Sequence, residues 1–201
     1  IIAFDLAGAK IGAARVLVGN IPAGGVNPLT PVDLSTNGTE VIYAVGSETD
    51  RSGREEADRR ATIMRVPLAG GEPTPIATGV RYAAGMDFAP DGTLFAAIQA
   101  VQDPPYPYET SIDGNDSPAG RFGTSWALEQ PVDPITRVKT NEELGWPYCL
   151  PDSTADGGDP IATDVSYVPD PLNNPDNDEF DCTSLAKAQT SLPAHSSPTS
   201  L

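Results

Sequence analysis

Val32-Asp33-Leu34-Ser35-Thr36-Asn37-Gly38-Thr39 returns, little changed, as Met86-Asp87-Phe88-Ala89-Pro90-Asp91-Gly92-Thr93. Each copy runs into a β-rich stretch, Glu40 to Val45 (EVIYAV) after the first and Leu94 to Ile98 (LFAAI) after the second. Asn, Asp and Gly tolerate positive φ, so each copy predicts a strand, a two-residue type I′ turn and a second strand. A different element alternates with this one: Phe4-Asp5-Leu6-Ala7-Gly8 resembles Val66-Pro67-Leu68-Ala69-Gly70. The order is then strand, L-A-G turn, strand, connection, strand, Asx-Gly turn, strand. Four antiparallel strands recurring at roughly 50–60 residues are the signature of a propeller blade, so the predicted fold is an all-β β-propeller of four-stranded antiparallel blades.

Working outward, residues 1–145 read as propeller blades. Clear material exists for about two, with a degraded third around Ile135-Thr136-Arg137-Val138. A propeller needs at least about four blades to close, so the expectation is a longer protein or a second chain over the open side. Past Pro104, Pro, Asp, Asn, Gly and Ser dominate, and 102–125 and 150–181 read as long irregular surface loops. Residues 146–201 are a loop-rich continuation of the same domain. Helix is scarce; Arg51 to Arg60 could hold one turn, and Glu55-Glu56 with Arg59-Arg60 suggest a salt-bridged surface turn.

The chain carries 28 acidic against 12 basic residues, a net charge of −16. That balance repels phosphate backbones and anionic lipid surfaces, which argues against nucleic-acid and membrane-surface partners. No apolar run reaches the roughly 18 residues of a membrane span. Cys149 and Cys182 match no metal-ligand spacing, and one disulfide closing a loop is expected over two free thiols. Asn37 and Asn115 each open an N-glycosylation triplet, which leans toward a secreted, extracellular or periplasmic route. Ile1 begins in apolar sequence with no initiator Met, as in a processed or partial product.

A succession of short motifs is similar to that of the PQQ-dependent glucose/sorbosone dehydrogenases. It runs Gly24-Gly25-Val26-Asn27, Tyr43-Ala44-Val45-Gly46-Ser47, Arg59-Arg60-Ala61-Thr62-Ile63, Gly79-Val80-Arg81-Tyr82 and Gly85-Met86-Asp87-Phe88-Ala89-Pro90-Asp91-Gly92. Glu142-Glu143-Leu144, Gly145-Trp146-Pro147-Tyr148-Cys149 and Ala194-His195-Ser196-Ser197-Pro198 follow in order. The resemblance implies a six-bladed propeller with PQQ at its axis, usually with calcium, that moves a hydride from a sugar's anomeric carbon to the quinone. Such chemistry needs a base for the sugar hydroxyl and cations for the cofactor carboxylates.

The chain departs from this pattern at the reacting end. The family's base is a His in Gly-Gly-His-Asn, and here the position is Val26, which accepts no proton. In the family's Gly-Leu-Arg-Asn motif Arg81 survives, but Asn is replaced by the larger Tyr82. The usual Asp/Asn-Gly segment and longer link before Gly-Trp-Pro are missing, since Leu144 runs straight into Gly145. The sequence also stops before the family's later blades and their basic residues.

Candidate residues therefore carry paired readings. Arg81 is a cofactor-carboxylate partner or a loop clamp; Asn27 is a cofactor contact or a turn cap. Asp113, Asn115 and Asp116 are candidate calcium ligands, as are Asp176-Asn177-Asp178-Glu179, against the alternative of solvated acidic loops. Trp146 and Tyr148 are a sugar-stacking platform or a buried corner, and His195, the only histidine, is expected to pack or anchor a loop rather than to act as a catalytic base. No Gly-x-Ser-x-Gly elbow surrounds Ser196 or Ser197, which disfavours a hydrolase. The expected function is a non-catalytic, extracellular sugar-dehydrogenase-like module whose partners are carbohydrate or other protein chains. The alternative is a PQQ-dependent oxidoreductase acting on an aldose or sorbosone-type sugar.

Overall fold

The computed structural model describes residues 1–51, 59–110, 119–154, 159 and 161–199. The described chain is all-β apart from one six-residue helix and short turns. A hairpin of β1 (Ile2–Ala7) and β2 (Lys10–Val16) precedes an antiparallel meander of β3 (Val32–Leu34), β4 (Glu40–Val45), β5 (Thr62–Pro67) and β6 (Thr74–Thr78). The second sheet starts with β7 (Ala83–Phe88) and β8 (Leu94–Ile98). It takes β9 (Asp133–Val138) as its third strand, after an excursion that contains helix α1 (Thr124–Glu129). β10 (Glu142–Glu143) crosses back to pair in parallel with β6. β11 (Cys149–Asp152), β12 (Thr163–Pro169) and β13 (Ala188–Leu192) return to the second sheet, whose order is β11-β12-β13-β9-β8-β7.

The repeated motifs form hairpins of a different type from the one their sequence predicts. In the first, the Gly38 N–H donates to the Ser35 carbonyl at 2.8 Å and Gly38 takes φ 66°. In the second, the Gly92 N–H donates to Ala89 at 2.8 Å with φ 85°. Neither Asn37 nor Asp91 adopts positive φ. Each side chain instead accepts the N–H two residues on, Thr39 to Asn37 at 3.0 Å and Thr93 to Asp91 at 2.9 Å. An Asx side chain that captures this N–H holds its own backbone in the ordinary region and leaves the left-handed step to glycine. The L-A-G turns sit where expected, between β1 and β2 and between β5 and β6, with Gly8 at φ 64° and Gly70 at φ 98°.

Two sheets packed face to face bury the main core, with Ile42, Ala44 and Ile63 of the first against Ala83, Leu94, Ala96 and Ile98 of the second. The opposite face of the first sheet buries Val41, Tyr43, Val45, Met64 and Val66 under Leu17 and Val18. Burial on both faces explains why EVIYAV is a continuous apolar run rather than an alternation.

Two sequence expectations are corrected here. Ile135–Val138 belongs to β9, which pairs with β8, so it continues the second sheet and does not start a third unit. The stretch 150–181 contains β12, whose Val165 is fully buried, and overlaps β11. Its strand signal (TDVSYVP) is obscured by flanking Pro, Asp and Asn. The missing helix prediction has a simple cause too: six residues give too little periodicity to read. The charged stretch around Glu55-Glu56 lies outside the described residues.

Cys149 and Cys182 are disulfide-bonded, with Cα atoms 5.7 Å apart across 33 positions of sequence. The bond ties the start of β11 to the short 3-10 turn Cys182–Ser184, so 146–201 is stapled as well as hydrogen-bonded into the sheet.

Candidate functional site at the long-loop end of the sheets

Antiparallel pairing sorts the connections by length. The short glycine turns lie at one end of the sheets, while segments 17–31, 46–51, 59–61, 79–82, 99–110 and 119–132 and the described stretch after β13 gather at the other. A set of hydrogen bonds laces this end. The Val26 N–H donates to the Glu48 carbonyl at 3.0 Å, Ser47 to Arg81 at 2.8 Å and Gln99 to Tyr82 at 2.9 Å. Asp133, 2% exposed at the start of β9, accepts the Ala100 N–H on one oxygen (2.9 Å) and the Ser197 N–H on the other (3.0 Å). Three family-type motifs remote in sequence, at 24–27, 46–47 and 79–82, thus meet in one place.

Close approach at this point depends on Gly46. A β-carbon there would lie 2.6 Å from Asn27 Cβ, 2.7 Å from the Asn27 carbonyl oxygen and 3.0 Å from the Tyr82 ring. Asn27 and Tyr82 are therefore neighbours, both buried, at 6% and 9% exposure. Burial raises the Tyr82 hydroxyl above its ordinary pKa. Asn27 Nδ2 is buried without a hydrogen-bond partner, the only unpaired donor at this junction among the described residues.

Arg81 faces inward. At 1% exposure its guanidinium donates to Asp50 Oδ1 through Nη2 (2.6 Å) and Nε (3.0 Å) and to the Gln99 carbonyl through Nη1 (3.2 Å). The same Asp50 carboxylate accepts the N–H groups of Gln102 (3.0 Å) and Asp103 (3.3 Å). The Asp50 carbonyl accepts the Trp146 indole N–H at 3.1 Å. Burial lowers the Arg81 pKa, opposed by the attraction and hydrogen bond of Asp50. Burial raises that of Asp133, opposed by its two N–H donors. The Arg81–Asp50 pair thus joins three loops and exposes no cation to a ligand.

This geometry answers most of the paired readings. Trp146 is 8% exposed in a cluster with Ala61, Val101 and Leu150, a buried corner. Tyr148 is half-buried beside the disulfide, its ring parallel to that of Phe180 at 6.5 Å. Asn177 and Asp181 are used in capping: Asn177 Oδ1 accepts the Cys182 N–H at 3.0 Å, and Asp181 accepts Thr183. His195 is exposed and donates through Nε2 to the Ala127 carbonyl, which pins the last loop to α1. Asp113, Asn115 and Asp116 lie outside the described residues. Among the described residues no group of three or more His, Cys, Asp or Glu is placed to hold a metal.

Sequence reasoning missed Asp50, Asp133 and Gln99. Only Asp133, in a Val-Asp-Pro step opening an apolar run, leaves any trace in the pattern, while Asp50 sits in a stretch of mixed charge with nothing to mark it. The residues that the motif resemblance assigns to a quinone do not fit that group as placed. Val26, 46% exposed, brings no proton acceptor, Arg81 is spent on Asp50, and Tyr82 fills the space beside Asn27.

No helix among the described residues is long and apolar enough to cross a membrane. No protein-family model matches the sequence. A search of curated proteins returns no match. Solved structures do match. The PQQ domain of pyranose dehydrogenase from Coprinopsis cinerea, in its holo form, superposes with a TM-score of 0.70 at 14% identity, over 98% of this chain and 50% of that one. A Trichoderma reesei protein of carbohydrate-active enzyme family AA12 matches as an iodide structure (TM-score 0.65) and a calcium structure (0.63). Both share 17% identity over 93% of this chain and 48% of that one. The chain spans about half the length of these structures, and over that half it shares their fold.

Proposed function

We propose that the chain forms about half of a propeller of the PQQ sugar-dehydrogenase type and serves outside the cell as a non-catalytic structural or binding module. The propeller reading is supported by the two meanders and by hairpin β1–β2, which repeats the L-A-G turn of β5–β6. Its Ile2, Phe4, Leu6, Ile11 and Val16 are all more than half exposed (54–74%), apolar surface that further blades would cover. The extracellular reading rests on the disulfide, the glycosylation triplet at exposed Asn37 and the net charge of −16.

One observation carries the non-catalytic reading: the Arg81 guanidinium is buried on Asp50 while position 26 holds a valine. A quinone site needs exposed cations for its carboxylates and a base for the sugar hydroxyl, and these positions supply neither. The second reading, a PQQ-dependent oxidoreductase of an aldose or sorbosone-type sugar, is favoured by the match to a holo PQQ domain. In that case the base and the cations would come from residues other than these.

Titration with PQQ in the presence of calcium, followed by dye reduction with a panel of aldoses, separates the two. The module predicts no stoichiometric binding at micromolar PQQ. Binding with turnover overturns it in favour of the enzyme.

A further inference from the structure

We infer that a cavity between β5 and β6, apart from the Arg81–Asp50 junction, is a binding site for a small organic carboxylate, best matched by an acidic sugar of the uronate type. The cavity has a volume of about 280 Å³ and is bordered by Arg59 and Arg60 at the long-loop end. Arg60 is 7% exposed, and its guanidinium donates to two carbonyls, Ala23 at 2.9 Å and Gly24 at 3.4 Å. Among the described residues neither Arg59 nor Arg60 has a carboxylate within ion-pair distance, although acidic residues outnumber basic ones across the chain.

A guanidinium taken out of water and held, among the described residues, by carbonyl dipoles alone is an incompletely balanced charge there, and an anion beside it is correspondingly favoured. Its planar fork selects carboxylate over a spherical ion. The lining also includes the apolar side chains of Met64, Pro73 and Pro75, which suit the C–H face of a sugar ring. Thr62 and Thr78 also line the cavity. Each hydroxyl already donates inward, to the Arg59 carbonyl (2.7 Å) and to Glu143 (2.6 Å), so each presents lone pairs that accept from ligand hydroxyls. Carboxylate, hydroxyl donors and an apolar face together describe a uronic acid.

The site stands on its own cations and does not rest on the sugar-dehydrogenase reading. The test is calorimetric titration of the purified protein with D-glucuronate, with D-glucose and sodium acetate as controls, repeated on Arg59→Gln. Arg59 is exposed and makes no side-chain hydrogen bond among the described residues, and a thermal melt matched to wild type checks that the variant keeps its fold. Saturable glucuronate binding at about a millimolar or tighter is expected for a ligand of this size. Glucose should bind far more weakly, acetate should compete, and Arg59→Gln should weaken glucuronate by about tenfold or more. Absence of saturable binding, equal binding of glucose, or an unchanged affinity in Arg59→Gln each overturns the proposal. Arg60→Gln loosens the 23–24 loop as well, so it is read only with a matched thermal melt.

Discussion

Asp50→Ala isolates the buried ion pair that joins the loops at the long-loop end. The substitution removes the carboxylate that meets Arg81 at 2.6 and 3.0 Å and leaves a guanidinium at 1% exposure with only the carbonyls of Gln99 (3.2 Å) and residue 50 (3.3 Å). The Gln102 and Asp103 N–H groups also lose their acceptor, but both residues are exposed and water replaces it. The dominant cost is therefore the stranded buried charge, about 3–5 kcal/mol. Against a typical domain stability of about 5–15 kcal/mol, that is a third or more of the total. Urea unfolding followed by tryptophan fluorescence is suited to the measurement, because the Trp146 indole donates to the residue 50 carbonyl and reports on the same junction. The Asp50→Ala midpoint should fall with little change in slope. Replacing both partners by apolar residues, Asp50→Leu with Arg81→Met, should recover most of the loss, since the penalty lies in the unpaired charge rather than in the missing bond. A loss under about 1 kcal/mol in Asp50→Ala, or strictly additive single and double variants, refutes the reasoning.

Four further outcomes follow from the geometry. Gly46→Ala brings a β-carbon within 2.6–3.0 Å of Asn27 and Tyr82 and should destabilise by about 1–3 kcal/mol through overpacking, read as a lowered melting temperature. Loss of the Cys149–Cys182 bridge, whose residues are 33 apart, should cost about 3–4 kcal/mol by the loop-entropy relation, checked by unfolding the Cys149→Ser/Cys182→Ser variant. Burial raises the Asp133 pKa, so the folded state holds that proton more readily than the unfolded chain. Its contribution to stability is greatest at low pH and is lost as pH rises from the ordinary carboxyl range through the raised value. Wild type should therefore gain stability relative to Asp133→Asn on acidification from neutral, and a parallel pH profile counts against the assignment. Val26→His should leave PQQ-dependent dye reduction at background, because a base restored at position 26 does not free Arg81; activity appearing in this variant would show that the Arg81–Asp50 pair does not keep the cofactor out.

The fold was legible where a local rule and a global one agree. Asn37-Gly38-Thr39 and Asp91-Gly92-Thr93 mark hairpins because an Asx side chain and a glycine solve the turn locally, and β4 and β8 follow as apolar runs. The hairpin type is not legible because both turn residues tolerate positive φ, and only the Thr39 and Thr93 N–H groups decide which one uses it. Strand β9 was misplaced for a different reason. Its partner β8 ends 35 positions before β9 begins, and no local signal records that the chain returns to the same edge. The disulfide was legible because two cysteines in an acidic, turn-rich chain leave few alternatives.

The site was legible as a place and illegible as a mechanism, and Arg81 shows why. The motif order brought positions 24–27, 46–47 and 79–82 together, and the structure joins them through the Val26–Glu48 and Ser47–Arg81 backbone bonds. Those bonds use main-chain atoms and a glycine at 46, so they survive when side-chain chemistry changes. What a guanidinium does is set by the carboxylate it meets, and Asp50 comes from a loop whose path no spacing rule predicts. On the proposed non-catalytic reading, the motif keeps its architectural half while its ligand-facing half differs. The two halves separate experimentally. Substitution of Gly46 or Asp50 should damage folding, whereas Val26 and Arg59 should tolerate change with the fold intact, and Arg59 alone should alter what is bound.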